Sequence, residues 1–342
     1  MSPALPLRKW LGKRGRKGGV SLKKVVASIK NNKNFLITSH TNLEGDALGS
    51  ELAFYNILKR LGKNAIVINE DSLPYGYDFL PHKNKIIKFK DNLKDIEFDC
   101  FVVLDCSDLS RTGEVYRLNS EQKPILNIDH HISNQKFGNI NWIDAHASSC
   151  SEMIYKLYQA LRLPLDRDTA ILLYTGILTD TGSFRYSNAT SLTHKVASEL
   201  LKFNLDIPQI YKSAYENIPF EDMKLLARIL PGIRQEAKGR VIWFQIKQNM
   251  LKNKKSSFDL SEHILSFGRA IKDAQVVVLF KENLGVENEI RVNFRSQGKV
   301  DVNKIASFFG GGGHKAASGA TIHGKIDEAR KKVLAKIKES LY

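Results

Sequence analysis

Four apolar runs set the pattern of the first half of the chain: FLITS (35–39), AIVIN (65–69), FDCFVVL (98–104) and PILNI (124–128). Each is almost wholly apolar rather than alternating, which marks strands buried on both faces of a parallel sheet covered by helices. Leu48, Leu52, Tyr55, Leu58 and Leu61 recur at helical spacing over 47–61, and Gly62 supplies the stop. Residues 152–161, 168–178 and 192–203 read as further helices. After Asn204 the pattern changes. Residues 208–215 and 220–230 read as short helices, 240–246, 274–280 and 289–294 as strands, and 260–271, 302–309 and 327–341 as helices. The expected class is α/β: an N-terminal doubly wound, mostly parallel sheet, then a smaller C-terminal α/β unit. The expected boundaries are a basic tail (1–19), a first domain (20–203), a helical connector (204–231) and a second domain (232–342).

Composition fits this picture. The 342 residues are 42% apolar and 26% charged, ordinary for a two-domain globular chain. No window approaches 18 uncharged apolar residues, so no membrane-spanning helix is expected. The net charge is +16, but ten basic residues fall within 1–43 and the first acid is Glu44. The body is therefore only mildly basic. The tail, with Pro3, Pro6 and four glycines, is expected to be disordered. It reads either as an arm that touches nucleic acid or, in preference, as a solvated tail without a role. It lacks the apolar centre of a secretory signal. Cys100, Cys106 and Cys150 form no C-x-x-C, which argues against a disulfide framework or structural zinc and suits a reducing cytoplasm. Cys106 reads as a small buried hydrophobe rather than a nucleophile.

The candidate chemistry lies where the apolar runs end. His40, Glu44 and Asp46 follow the first run, Asp105 and Asp108 the third, and Asp129-His130-His131 close the fourth. Asp180 ends the apolar helix ILLYTGIL. Open parallel sheets bind ligands beyond the carboxyl ends of their strands, so these groups are expected to converge on one crevice. An Asp after a strand is commonly a turn or capping residue, and one such cluster alone would mean little. Four together favour metal. Carboxylate plus imidazole suits Mn²⁺ best, with Mg²⁺, Fe²⁺ and Zn²⁺ also compatible. So many groups exceed one ion and suit two, bridged by a carboxylate, a pairing that can activate water and clamp a phosphoryl group. In the second half, Gly310, Gly311, Gly312 and Gly313 with His314 could let backbone N–H groups approach an anion. Arg295 and Ser296 end a strand and could grip phosphate. Singly, these read equally well as a glycine hinge and a surface arginine.

IDHH, LTDTGSFRYSN and FRS…FGGGGHKAASGA, in that order, resemble the DHH phosphoesterase family over residues 20–340, and within it the nanoRNase/pAp phosphatase group (pAp is 3′-phosphoadenosine 5′-phosphate). The resemblance implies a metal-binding DHH domain, a smaller DHH-associated domain and a substrate cleft between them. It implies that His40, Glu44 and Asp105 hold one ion and Asp46, Asp105, His130 and Asp180 the other. Asp105 would bridge, His131 would face the scissile phosphate, and Asp129 would orient His130. It assigns Arg295, Ser296, Gly310–Gly313 and His314 to the substrate's nucleotide end, and Ser148 and Ser149, more weakly, to the cleft lining. Glu44 stands where the family has Asp, and Leu43 where it has Pro. The added methylene bears on the first ion, and the missing proline on the stiffness of the loop. The implied function is a two-metal phosphodiesterase that degrades short RNA to mononucleotides and dephosphorylates pAp. Its partners would be those substrates and no membrane, with a homodimer left open. The alternatives are a cyclic or linear dinucleotide phosphodiesterase, and a metal-impaired protein that binds nucleotides or RNA ends without turnover because of Glu44.

Overall fold

The computed structural model describes residues 16–93, 96–251, 259–283, 286–297 and 300–341. The chain divides into two compact units, Met1–Asn217 and Ile218–Tyr342. The first runs α1 (Arg16–Asn31), β1 (Asn34–Thr38), α2 (Gly45–Arg60), β2 (Asn64–Asn69), β3 (Ile86–Lys88), β4 (Cys100–Leu104), β5 (Ile125–Asp129), β6 (Ile140–Ile143), α3 (Cys150–Leu161), α4 (Arg167–Asp180), α5 (Ser191–Leu201) and α6 (Ile207–Tyr215). Its sheet has the order β3-β2-β1-β4-β5-β6, and every neighbouring pair is parallel. The chain travels from β1 to β3 on one side and resumes at β4 on the other. The switch point, where such sheets bind ligands, therefore lies between β1 and β4.

The apolar runs account for the centre of this sheet. Leu36, Ile37, Phe101, Val102, Val103 and Leu104 are fully buried, and Leu48, Leu52 and Phe54 of α2 cover one face with α3 and α4. Each such side chain contributes about 2 kcal/mol of burial. The edges were not legible in this way. β3 (IIK) is too short and too exposed to show a run, and β6 (INWI) buries only Trp142. At the N-terminus, α1 is held by Leu22, Val25, Val26 and Ile29, which pack on the core. Residues 1–15 of the expected tail lie outside the described residues.

The expected connector is split between the units. Ile210 of α6 packs in the first core, whereas Leu225, Leu226 and Ile229 of α7 (Phe220–Ile229) pack with the second sheet. The second unit continues with β7 (Arg234–Glu236), β8 (Val241–Ile246), α8 (Gln248–Leu251), α9 (Ser261–Arg269), β9 (Val276–Glu282), β10 (Glu289–Ser296), α10 (Val302–Phe308), β11 (Gly312–Gly313), β12 (Ala317–His323) and α11 (Ile326–Glu339). Its sheet order is β11-β12-β10-β9-β8-β7, antiparallel except for the β8–β9 pair. β12 (ASGATIH) has too few large apolar residues to read as a strand. Its seven-residue antiparallel register with β10 makes it one.

Candidate metal centre

The loop after β1 carries the first expected ligands. His40 is buried, and its Nδ1 lies 2.8 Å from the Thr41 carbonyl, which leaves Nε2 as the ligating nitrogen. That Nε2 stands 3.6 Å from Asp105 Oδ2 and 4.0 Å from Glu44 Oε1. The loop that carries Leu43 is anchored at three successive residues. The Thr41 N–H donates to the Arg111 carbonyl at 2.7 Å, the Asn42 N–H donates to Asp71 Oδ2 at 2.5 Å, and Leu43 is buried in the core. Glu44 is the residue before α2 and makes no side-chain capping bond, so its carboxylate is available to the site. One ligand atom from each of His40, Glu44 and Asp105 falls within 4.8 Å of the others, so the longer glutamate does reach.

A second group shares Asp105. Asp46 lies in the first turn of α2, Asp180 ends α4, and His130 follows β5. Their ligand atoms also fall within 4.8 Å of one another. His130 Nε2 is 3.3 Å from Asp105 Oδ1, 3.6 Å from Asp180 Oδ2 and 3.7 Å from Asp46 Oδ2. Asp105 thus turns one oxygen towards each group. It sits at φ 51°, a left-handed conformation that Asp tolerates better than most residues, anchored by its N–H to the Ile128 carbonyl at 3.0 Å. α2 and α4 approach closely enough to bring Asp180 to Asp46 because Gly176 has no side chain. A Cβ there would overlap Ser151 Oγ and Asp46 Oδ1.

Asp129 acts differently from the expectation. Its Oδ1 accepts the His130 and His131 N–H groups at 2.8 and 3.2 Å and meets His131 Nδ1 at 2.7 Å. It therefore orients the ring of His131, not that of His130. His130 Nδ1 instead faces the Ala147 carbonyl at 3.4 Å. Asn134 was missed in the sequence. Its amide donates to Asp129 Oδ2 at 2.6 Å and fixes the carboxylate that fixes the imidazole. Asn188 was also missed: it donates to the Asp180 carbonyl at 3.0 Å and to Oδ2 at 3.3 Å. Asn134 lies beside IDHH and Asn188 is the last residue of LTDTGSFRYSN, but nothing in a linear pattern marks an amide as a second neighbour.

The electrostatics match a cage built for cations. Burial, reinforced by the charge of Asp105, pushes Asp46 up to about 7 against the pull of His130. Burial also raises Asp180 well above the carboxylate range, with Asp46 and Asp105 adding to it. Burial works the same way on Asp105, yet hydrogen bonds from His130 and His40 hold it well below that range. His130 is raised well above its ordinary value, because Asp180, Asp105 and Asp46 outweigh its burial. Burial and mutual repulsion that resist the ionisation of Asp46 and Asp180 are what a dication would relieve, and the carboxylate-imidazole donor set is right for one. The thiols of Cys106 and Cys150 are not poised as ligands or nucleophiles. Burial pushes the Cys106 thiol up to about 12, and burial with nearby carboxylates raises Cys150 well above its usual value. Ser149 caps α3 through the Glu152 N–H, and the Ser148 hydroxyl is bound to Glu152.

The expected substrate residues gather within the second unit. The Ser296 N–H donates to the Ala316 carbonyl at 2.8 Å and its hydroxyl to the Lys315 carbonyl at 3.3 Å, so the end of β10 lies against the 314–317 turn. Gly312 and Gly313 are not a free hinge but pair with β12. Gly313 has φ 140°, a backbone state closed to most side chains. The His314 N–H donates to the Ala317 carbonyl at 2.7 Å. Arg295 is engaged by Glu262 and by the Phe294 carbonyl.

Comparison with known proteins agrees with this geometry. Residues 34–177 match the DHH family N-terminal domain, and residues 246–339 match the DHHA1 domain. The chain is 29% identical to the bifunctional oligoribonuclease and PAP phosphatase NrnA of Thermus thermophilus, over 89% of each protein. It is 30% identical to the probable bifunctional oligoribonuclease and PAP phosphatase NrnA of Streptococcus mutans, over 88% of this chain and 93% of that one. Among solved structures, an exopolyphosphatase-related protein from Bacteroides fragilis is similar, with TM-score 0.82 and 25% identity over 94% of this chain and 96% of that one.

Proposed function

The chain belongs to the DHH family, with a DHHA1 domain behind its N-terminal domain; we propose that it is a metal-dependent phosphoesterase that hydrolyses short oligoribonucleotides to mononucleotides and dephosphorylates pAp. The observation that carries this reading is Asp105, whose two oxygens face two separate carboxylate-histidine groups. In the proposal His40, Glu44 and Asp105 hold one divalent ion, and Asp46, Asp105, His130 and Asp180 hold another, Mn²⁺ by preference. Bound there, the ions supply Lewis acidity that makes water nucleophilic at neutral pH and neutralises phosphoryl charge.

The side chains do the rest. Asp129 accepts the Nδ1 proton of His131, which fixes the tautomer and presents Nε2 to the scissile phosphate. Asn134 keeps Asp129 from rotating. Water attacks phosphorus as the P–O bond to the departing oxygen breaks, and that oxygen takes up a proton. Arg295, Ser296, Gly310–Gly313 and His314 are proposed to bind the nucleotide end. A grip on a terminal nucleotide suits short substrates. The names of the T. thermophilus and S. mutans relatives support this choice.

One assay tests the reading: Mn²⁺-dependent hydrolysis of a 5′-labelled RNA trimer, a pentamer, pAp and cyclic di-AMP side by side. Mononucleotide release from the short RNAs and phosphate release from pAp are expected. Preferential cleavage of cyclic di-AMP, or binding without turnover at any metal concentration, would contradict it.

A further inference from the structure

One short segment running from the loop after β6 into the first turn of α3, Ala147–Ser151, meets His130 and Asp46 directly and reaches Asp180 through Asn188. The Ala147 carbonyl meets His130 Nδ1 at 3.4 Å. The Ser148 carbonyl accepts from Asn188 at 2.9 Å, and the same amide holds Asp180. The Cys150 and Ser151 N–H groups donate to the two oxygens of Asp46 at 2.6 and 2.8 Å. A displacement of this segment would therefore move three ligands together.

The segment is held by a buried acid. Glu152 Oε2 accepts the Ser148 hydroxyl at 2.7 Å and the Thr193 hydroxyl at 2.9 Å. Glu152 Oε1 meets Lys156 Nζ at 2.9 Å, and the same ammonium reaches Asp144 at 3.3 Å. The Asp144 N–H in turn donates to the Asp129 carbonyl at 3.0 Å. Glu152 is buried, whereas the Lys156 side chain is 20% exposed, and a partly solvated pair of this kind adds little to stability. Its directional bonds end on the segment that sets the ligands.

We propose that Lys156 is a positioning residue for the ion held by Asp46, His130 and Asp180, acting through Glu152 and Ser148. This rests on the metal reading above. The test counts bound Mn²⁺ on chelator-stripped, dialysed protein by electron paramagnetic resonance titration, with thermal midpoints recorded alongside. Wild-type protein is expected to bind two ions. Lys156→Met is expected to weaken one of them by about 10–100-fold, the same ion that Asp46→Asn weakens, and to leave the other unchanged. Lys156→Arg, which keeps the cation, is expected to restore it. Ser148→Ala removes only a hydroxyl and carries the same test should Lys156→Met not fold, with a smaller loss at the same ion. Folded variants with both affinities unchanged, or with both falling together, would overturn the role of Lys156 while leaving the metal reading intact. Wild-type protein that binds no ion would overturn both.

Discussion

The two candidate ion groups share Asp105 and differ in how their other ligands are held. Asp46 and His130 are almost fully buried, and each is met by backbone groups from another element: two N–H donors for Asp46, a carbonyl for His130. Asp180 is held by Asn188. The other group is completed by Glu44, whose side chain is 58% exposed and which makes no capping bond of its own. The first arrangement is preorganised by the fold before any ion arrives. The second depends on a long side chain reaching in from solvent, backed by a loop pinned at Thr41, Asn42 and Leu43. Glu44 stands on the exposed side of the site, where its longer side chain has room.

The largest effect should come from the shared residue. Asp105→Ala removes a ligand from both groups, so turnover of a short RNA is expected to fall by at least ~1000-fold, more than the loss of a single transition-state donor. Activity near that of the wild type would mean that the groups do not share it. A smaller and one-sided effect is expected from Glu44→Asp. The loop already places the longer carboxylate 4.0 Å from His40 Nε2, so shortening it should weaken the exposed ion by roughly tenfold and spare the buried one, as read by Mn²⁺ titration. A sharp rise in activity would instead identify Glu44 as a defect.

The smallest effect on activity concerns Glu51, which is fully buried on α2 and bound by the Asn69 amide at 2.8 Å. Burial pushes its carboxyl from 4.5 up to about 8. The folded state therefore holds a proton that the unfolded state releases above 4.5, and stability should decline as pH rises from there to about 8. Each pH unit in that window is worth at most about 1.4 kcal/mol. Glu51→Gln should flatten the slope in denaturant titrations run with chelator at pH 5 and pH 8. An unchanged slope would show that the acid is not the cause.

The central strands and the turns that carry the candidate ligands were legible because burial on both faces leaves unbroken apolar runs, and an acid or histidine closing such a run stands out. What was illegible depends on partners rather than on pattern. β12 is a strand because β10 pairs with it. α1 begins at Arg16 because its later turns find a core, although its first turn contains Gly18 and Gly19. Asp129 precedes both histidines in sequence, and only the turn geometry decides that the ring of His131 receives its carboxylate. Ala147 acts through a carbonyl, which no side-chain pattern can announce. Lys156 acts through two intermediaries.

The central claim is that side chains just beyond β1, β4 and β5, with others from α2 and α4, form one cage around two cations joined at Asp105. An anomalous difference map from crystals grown with Mn²⁺ tests it most directly. Two peaks about 3.5–4 Å apart, one on each side of the Asp105 carboxylate, are expected. A map with no peak at Asp105, or with a single ion bound away from it, would contradict the account.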